Sequence, residues 1–103
     1  LEIPLSDQGY PHPSKSIIFR SAPENVSGLI YAGIDVVTLA NNHILDYMEP
    51  AMIQTQNILS EAGIIYSGAG MNSYEAYLPA FKSVKGQTIA FIASSDRTGQ
   101  YNN

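Results

Sequence analysis

The run Ile34-Asp35-Val36-Val37-Thr38-Leu39-Ala40 decides the fold class of this chain. It is rich in apolar and β-branched residues, and turn-forming residues bound it on both sides. A run of this kind predicts a strand that is buried on both faces, as in a parallel sheet covered by helices. The polar cluster Asn41-Asn42-His43 follows directly, so polar side chains are expected at the carboxyl end of the strand.

Helical and extended patterns alternate on either side of this strand. Residues 1–16 are rich in proline and glycine and predict turns instead of a helix. The remaining elements are predicted as an extended segment at 17–19, helices at 23–33 and 50–62, a strand at 64–66, a short helix opened by Asn72 with Glu75 three residues on, and strands at 81–84 and 88–93. This order predicts an α/β fold with a mixed β-sheet flanked by helices.

Length and composition exclude several classes of protein. The chain has 103 residues, of which 45% are hydrophobic and 14% charged, so it suits one small domain and is too apolar to be disordered. Five Lys and Arg against nine Asp and Glu give a net charge of −4, which argues against nucleic-acid binding through a basic patch. Without cysteine, the chain can form no disulfide and no thiolate metal site. No apolar run approaches the roughly 20 residues of a membrane-spanning helix.

The strongest candidates for chemistry are Asn41, Asn42 and His43, with Asp46 three residues further on. Ligands of α/β proteins bind beyond the carboxyl ends of strands, where this cluster is predicted. An Asn carbonyl oxygen suits Mg²⁺ or Mn²⁺, an imidazole binds metal or transfers a proton near neutral pH, and Asp46 could orient that imidazole. In the alternative interpretation the asparagines form a turn, His43 is a polar loop residue, and Asp46 with Glu49 caps a helix.

Three further features carry weaker signals. The loop Gly68-Ala69-Gly70 follows a predicted strand and either lets the backbone approach a phosphate or is a plain strand-to-helix turn. Asp96-Arg97, after the last predicted strand, either faces the same cleft or lies in a solvated turn. His12, between two prolines, is expected to be an exposed loop residue.

The stretch from Gly33 to Tyr47, with Ala40-Asn41-Asn42-His43 and Asp46 at its centre, resembles the central motif of the bacterial capsule-synthesis CapA family, also called the poly-γ-glutamate biosynthesis family. The resemblance continues through Thr55, residues 62–64, Gly68-Ala69-Gly70, Asn72, Glu75-Ala76 and Pro79, and residues 1–6 resemble the family's Asn-x-Glu-x-Pro segment. It therefore covers nearly the whole chain, and the Ala-Asn-Asn-His-x-x-Asp core is specific.

This resemblance implies a fold related to the calcineurin-like metallophosphatases, here a partial αββα sandwich, and a divalent metal ion such as Mn²⁺ or Mg²⁺ in the whole protein. By the family's pattern, Asn42 and Glu2 would hold the metal, and His43 would be the catalytic or substrate-binding residue. Asn41 and Asp46 would support the metal ligands or bind substrate. Paired metal ions of that superfamily clamp a phosphoester and activate water, while the histidine stabilises the leaving group or the transition state.

The chain departs from the family's pattern in three respects. Met48 stands where members usually have glycine, so a left-handed backbone there would be strained. A Gly-Asp strand is absent, and so are the late His-rich motifs, since the chain has only two histidines. Residues 1–103 are therefore expected to be a fragment of a single CapA-type domain in a parent about two to three times as long.

The function implied by the resemblance is a role in the synthesis or export of an anionic surface polymer, with phosphoester hydrolysis as the parent's reaction. The expected partners are a membrane-bound polymer synthase complex and an anionic polymer or phosphoester substrate, on the extracellular side of the membrane, and not nucleic acid. A second hypothesis is a non-catalytic scaffold of that complex, and a third, for an accidental resemblance, is a generic ligand-binding α/β domain. Open sheet edges could be covered by a second copy in a homodimer.

Overall fold

The structure, a computed structural model, describes residues 1–96. Its elements, in chain order, are a 3₁₀ turn at Pro23–Asn25, α1 at Val26–Tyr31, β1 at Val36–Thr38, α2 at Met48–Glu61, β2 at Ile65–Ser67, α3 at Ser73–Ala76, β3 at Ala80–Val84 and β4 at Gln87–Phe91. None of the helices in this part of the chain is long enough and apolar enough to cross a membrane.

The strands of the described residues form two small sheets that differ in direction. β1 and β2 are parallel, with Val37 opposite Tyr66, whereas β3 and β4 form an antiparallel hairpin with Phe81 opposite Ala90. A parallel pair needs a long crossover connection, and α2 lies in the one between β1 and β2. The predicted α/β class is therefore confirmed, with the parallel and antiparallel pairings in separate two-stranded sheets.

Strand β1 is shorter and less buried than the run 34–40 predicts. Val37 and Leu39 are buried, whereas Thr38 between them is exposed. Both buried residues belong to a core cluster with Met52 and Leu59, so α2 covers one face of the strand. The prediction of burial on both faces is wrong for the described residues, because no second layer covers the other face there.

Helix α2 begins at Met48, two residues before the predicted start at Pro50. A proline in the first turn is tolerated because the first N–H groups of a helix have no partner inside it. The buried residues of the helix are Ala51, Met52, Thr55 and Leu59. Gly63, with a φ of 73°, follows the end of the helix as predicted.

The predicted extended segment at 17–19 does not form a strand. An isolated bridge between Leu5 and Ser21 is the β-pairing that lies nearest to it. The N–H of Phe19 donates instead to the Asp46 carboxylate at 2.6 Å. Backbone that bonds to a side chain in this way is not available to a sheet ladder, so the segment is a loop anchored on residue 46.

Two predictions of local structure rest on capping and turn chemistry, and the structure confirms both. Asn72 Oδ1 accepts the N–H of Glu75 at 2.9 Å, and Glu75 Oε2 accepts the N–H of Met71 at 2.8 Å, which closes the first turn of α3. Lys85 and Gly86 join β3 to β4 with φ values of 51° and 76°. Two successive positive φ angles are the signature of a type I′ hairpin turn.

Candidate functional site

The loop of residues 41–47 connects β1 to α2 and lies at the carboxyl end of β1. The side-chain amide of Asn41 shapes this loop, since Oδ1 accepts the N–H of His43 at 2.9 Å and Nδ2 donates to the Leu1 carbonyl at 2.9 Å. The N–H of Asp46 donates to the His43 carbonyl at 3.0 Å and closes a turn. These bonds hold the polar cluster in one conformation directly after the strand.

The His43 side chain is held on two sides. Its Nδ1 lies 2.7 Å from Asp46 Oδ2, and its ring centroid lies 4.8 Å from that of Phe19 at an interplanar angle of 54°. The residue is only 9% exposed, so the imidazole is largely out of water. An ionised carboxylate only accepts hydrogen bonds, so the contact with Asp46 assigns a hydrogen to Nδ1. Nε2 is then the nitrogen that remains for chemistry.

Asp46 is fully buried and is the centre of the polar contacts in this loop. Besides His43, its carboxylate accepts the N–H of Phe19 at 2.6 Å and the ammonium group of Lys15. Its backbone carbonyl accepts the N–H of His12 at 2.8 Å, and His12 is partly buried, not exposed as expected. A buried carboxylate is costly unless it is paired and hydrogen-bonded, and the contacts to Asp46 meet both conditions.

Lys15 is a site residue that the sequence patterns do not reveal. Its side chain is 2% exposed, and its ammonium group contacts both Asp46 Oδ1 and the carbonyl of Asn42. One signal was nevertheless present, because Lys15 and Arg20 are the only basic residues before Lys82. A buried acid in the loop 41–47 therefore has only these two side chains as possible Lys or Arg counter-ions in the preceding part of the sequence.

The transition from this loop to α2 is made by Tyr47 and Met48. Tyr47 occupies the N-cap position without a side-chain cap, so the alternative in which Asp46 caps a helix is wrong. The guanidinium of Arg20 lies 4.2 Å from the centroid of the Tyr47 ring. Met48 has a φ of 64°, the left-handed conformation that was expected to be strained at this position.

The two predicted metal ligands, Glu2 and Asn42, have different surroundings. Glu2 is exposed, whereas Asn42 is partly buried, with its carbonyl bonded to Lys15. Among the described residues, no three His, Cys, Asp or Glu side chains come together as a group that could hold a metal ion, and both Asp46 oxygens are engaged. The described residues therefore do not form a metal site by themselves.

A cavity of about 260 Å³ lies at the carboxyl ends of β1 and β2. Asn41 and the loop Gly68-Ala69-Gly70 line it, whereas Asn42 and His43 do not. The cluster lies at the carboxyl end of the strand as predicted, but its residues have different neighbours there, since Asn41 lines this cavity and His43 Nδ1 contacts Asp46. Of the predicted cluster, Asn41 is thus at the cavity and His43 is at the buried Asp46 carboxylate.

The glycine loop 68–70 has a structural reason for its composition. A Cβ on Gly68 would lie 2.7 Å from the Cβ of Ala40, which is too close for any side chain. Glycine is therefore required where β1 and β2 end side by side, and a bound phosphate is not needed to explain it. Of the last candidate pair, Asp96 is exposed and Arg97 lies outside the described residues.

The chain matches a protein family over its whole length and individual curated proteins over most of it. The family model of the bacterial capsule synthesis protein PGA_cap matches residues 1–103. A Bacillus anthracis protein named capsule biosynthesis protein CapA is 30% identical over 89 residues, which are 86% of this chain and 22% of that protein. A Mycobacterium tuberculosis H37Rv protein named as a probable polyglutamine synthesis accessory protein is 32% identical over 94 residues, which are 91% of this chain and 25% of that protein.

The match to the family model includes all of the site residues. The chain spans only 22% to 25% of the length of the two curated relatives, so most of each relative has no counterpart in these 103 residues. The match to the family model extends over the loop 41–47 and also over Lys15, which the quoted motif did not contain. The resemblance to the capsule-synthesis family is confirmed, and the chain belongs to the bacterial capsule synthesis protein PGA_cap family.

Proposed function

We propose that the protein acts in the synthesis or export of an anionic polymer at the bacterial surface, of the poly-γ-glutamate type. Support comes from its membership of the capsule synthesis family and from two relatives, one named for capsule biosynthesis and one for polyglutamine synthesis. A position on the extracellular side of the membrane, next to a membrane-bound synthase complex, belongs to the same proposal.

The reaction proposed for the whole protein is phosphoester hydrolysis, with the loop 41–47 as part of the active site. The observation that carries this proposal is the His43–Asp46 pair, whose Nδ1 and Oδ2 lie 2.7 Å apart after the carboxyl end of β1. A histidine held at Nδ1 by a carboxylate presents Nε2 as a proton donor or acceptor, which is the arrangement that general acid–base catalysis uses.

The proton transfer assigned to His43 is simple. The oxygen of a water molecule bonds to phosphorus, the ester P–O bond breaks, and the leaving oxygen takes the proton that the imidazolium form of His43 carries on Nε2. The neutral ring, with its hydrogen on Nδ1, then accepts a proton from the attacking water and becomes an imidazolium again. Asp46 keeps the ring in the required orientation and balances the charge of the imidazolium, while Phe19 packs against the ring.

A divalent metal ion in the whole protein is part of this proposal, with Glu2 and Asn42 as the contribution of this chain. Because the described residues form no metal site by themselves, the other ligands would have to come from elsewhere in the whole protein. Metal analysis of the purified whole protein tests this, since Asn42→Ala is expected to lower the bound metal content and Asn57→Ala, at an exposed position on α2, is expected to leave it unchanged.

A second candidate function is a non-catalytic scaffold of the synthase complex. The observation that favours it is the name of the M. tuberculosis relative, a probable polyglutamine synthesis accessory protein. A scaffold needs the folded loop but not the chemistry of Nε2. The two functions therefore differ in what they require of a folded protein without the His43 imidazole.

The experiment that separates them replaces each of the two histidines in the whole protein. His43→Gln keeps a hydrogen-bond donor for Asp46 and removes the acid–base group, whereas His12→Gln is the matched control outside the proposed chemistry. We expect His43→Gln to lower the hydrolysis of bis(p-nitrophenyl) phosphate and polymer output by about 10²–10⁴-fold, and His12→Gln to retain both. Folded His43→Gln protein with full hydrolysis and full polymer output would exclude the catalytic function and favour the scaffold.

A further inference from the structure

We infer that Lys15 is a positioning residue for His43 and acts through Asp46. This role deepens the hydrolytic function proposed above and rests on it. The ammonium group of Lys15 contacts Asp46 Oδ1, while the other oxygen, Oδ2, lies 2.7 Å from His43 Nδ1. One carboxylate thus connects a buried cation to the proposed acid–base group.

The contacts of Lys15 restrain His43 from two directions. The ammonium group also contacts the carbonyl of Asn42, the residue that immediately precedes His43. Lys15 therefore holds the backbone on one side of His43 and the acceptor of its ring on the other. The backbone that precedes the ring and the carboxylate that pairs with the ring are therefore both in contact with this ammonium group.

The positioning has a chemical consequence at the imidazole. While Asp46 Oδ1 is held by Lys15, Oδ2 faces Nδ1, so the hydrogen of a neutral ring stays on Nδ1 and Nε2 is free to accept a proton. Without the ammonium group, Oδ1 loses its partner, and the carboxylate is held at Oδ2 by the N–H of Phe19 and by His43 Nδ1. The acceptor of the Nδ1 hydrogen is then less firmly held, and the tautomer with the hydrogen on Nε2 becomes more populated.

A purely structural role explains the burial of the Lys15 side chain less well. The segment that carries it is anchored without it, since the N–H groups of His12 and Phe19 donate to Asp46 at 2.8 Å and 2.6 Å. Removing an ammonium group from water is costly, and a buried ion pair stabilises a fold no better than well-packed apolar residues do. The Lys15 side chain is nevertheless 2% exposed. A fixed orientation of His43 is what the buried charge provides.

Lys82 supplies a matched control within the same chain. Its Nζ lies 3.7 Å from Asp35 Oδ1, and both side chains are well exposed, so its ion pair contributes little and touches no part of the loop 41–47. The same change, Lys to Met, can therefore be made once at the proposed positioning residue and once at a surface ion pair.

The kinetic test uses Lys15→Met, Lys15→Arg and Lys82→Met in the whole protein, with bis(p-nitrophenyl) phosphate as the substrate. We expect Lys15→Met to lower kcat by about 10–100-fold with little change in KM, because the ring is misplaced while the substrate surface is intact. Lys15→Arg keeps the charge and is expected to restore part of kcat. Lys82→Met is expected to match the wild type, and thermal unfolding checks that each variant is folded.

The spectroscopic test reads the tautomer of His43 directly. In ¹⁵N-histidine-labelled whole protein at a fixed alkaline pH, with His43 assigned by its loss in His43→Gln, the wild type is expected to carry the hydrogen on Nδ1. Lys15→Met is expected to show a mixture of both tautomers. A wild-type hydrogen on Nε2, or a Lys15→Met protein with unchanged spectrum and kcat, overturns the inference. If Lys15→Met does not fold, Lys15→Gln, which removes the charge but keeps a hydrogen-bond donor, is read in the same way.

The two tests also separate this inference from the proposed function. If the whole protein hydrolyses no phosphodiester, or if His43→Gln retains full activity, the hydrolytic function fails. The dependence of the His43 tautomer on Lys15 is still measured by the spectrum in that case. A tautomer that shifts in Lys15→Met supports the positioning contact even then, and one that does not shift removes it.

Discussion

The loop 41–47 and the β3–β4 hairpin have opposite relations between polarity and burial. In the loop, the charged Asp46 is fully buried and His43 is 9% exposed. In the hairpin, Phe81 on one face is 61% exposed, and Ile89 on the other face is 42% exposed. The usual rule, polar outside and apolar inside, is therefore reversed in both regions.

This comparison shows which of the two regions has its side chains paired by contacts within the chain. The carboxylate of Asp46 finds its partners in Lys15, Phe19 and His43, so the buried charge of the loop is paired within the described residues. Within the described residues, the hairpin instead exposes apolar side chains on both faces, and it is held there mainly by backbone pairing and by its turn. A two-stranded hairpin is marginal by such means alone, so the loop is expected to resist unfolding more than the hairpin does.

The largest expected effect comes from breaking the buried charge cluster. Asp46→Asn leaves the Lys15 ammonium group buried without a counter-charge, and we expect it to lower the free energy of unfolding by about 3–5 kcal/mol. Urea unfolding of the whole protein, followed by circular dichroism, measures this. The control is Asp35→Asn, which removes an exposed carboxylate and is expected to change stability by under about 1 kcal/mol. Equal midpoints for the two variants would show that the loop is not held by its charges.

The next effect concerns a buried hydroxyl that fastens the first residues to α2. Thr55 Oγ1 accepts the N–H of Leu5 at 3.0 Å and donates to the Ala51 carbonyl at 2.7 Å, and the residue is fully buried. Thr55→Val leaves that N–H unsatisfied, so we expect a loss of about 1–3 kcal/mol by the same urea unfolding. Thr88→Val, at an exposed position of the hairpin, is expected to be nearly neutral, and a comparable loss there contradicts the contrast between the two regions.

A gain in stability is expected at Met48, where the loop passes into α2. Its φ of 64° is left-handed, which costs about 1–2 kcal/mol for a residue with a side chain. Met48→Gly removes this strain at the expense of some packing and chain entropy, so a net gain of about 1 kcal/mol is expected in the free energy of unfolding. Met71→Gly is the control, because Met71 is exposed and has no positive φ. If both variants lose stability equally, the strain at Met48 is not significant.

The parts of the fold that sequence patterns could predict are those fixed by neighbours in the chain. The Asn72–Glu75 capping pair and the Lys85-Gly86 turn depend on residues a few positions apart, and both are found as predicted. The burial of β1 depends instead on whether a second layer covers it. The sequence run 34–40 cannot state that, and its outer face is open in the described residues.

The candidate site follows the same distinction. The i, i+3 spacing of His43 and Asp46 was sufficient to suggest their pairing, and the structure places them 2.7 Å apart. The contact of Asp46 with Lys15 spans 31 positions, and the contact of Asp46 with Phe19 spans 27. No local pattern connects residues so far apart, which is why the sequence predicted the pair but not the cation that completes it.

The smallest expected effect concerns the turn that joins β3 to β4. Lys85 has a φ of 51° and is followed by Gly86, and type I′ turns favour asparagine before glycine because asparagine tolerates the left-handed region. We expect Lys85→Asn to stabilise the protein by about 0.5 kcal/mol or less and to slow the hydrogen exchange of amides in β3 and β4. Amides of α2 are expected to keep their exchange rates, because the helix packs on β1 and not on this turn.

Lys82→Asn is the matched control for this prediction, since it makes the same substitution three residues earlier, within β3. Asparagine is unfavourable in strands, and the change also removes the Lys82 contact to Asp35, so faster exchange of the hairpin amides is expected. Slower exchange in Lys85→Asn together with faster exchange in Lys82→Asn indicates that turn geometry limits the hairpin. If both variants change the exchange rates in the same direction, surface charge governs the stability of the hairpin. The hairpin and the loop 41–47 then differ in their electrostatics and not in turn geometry.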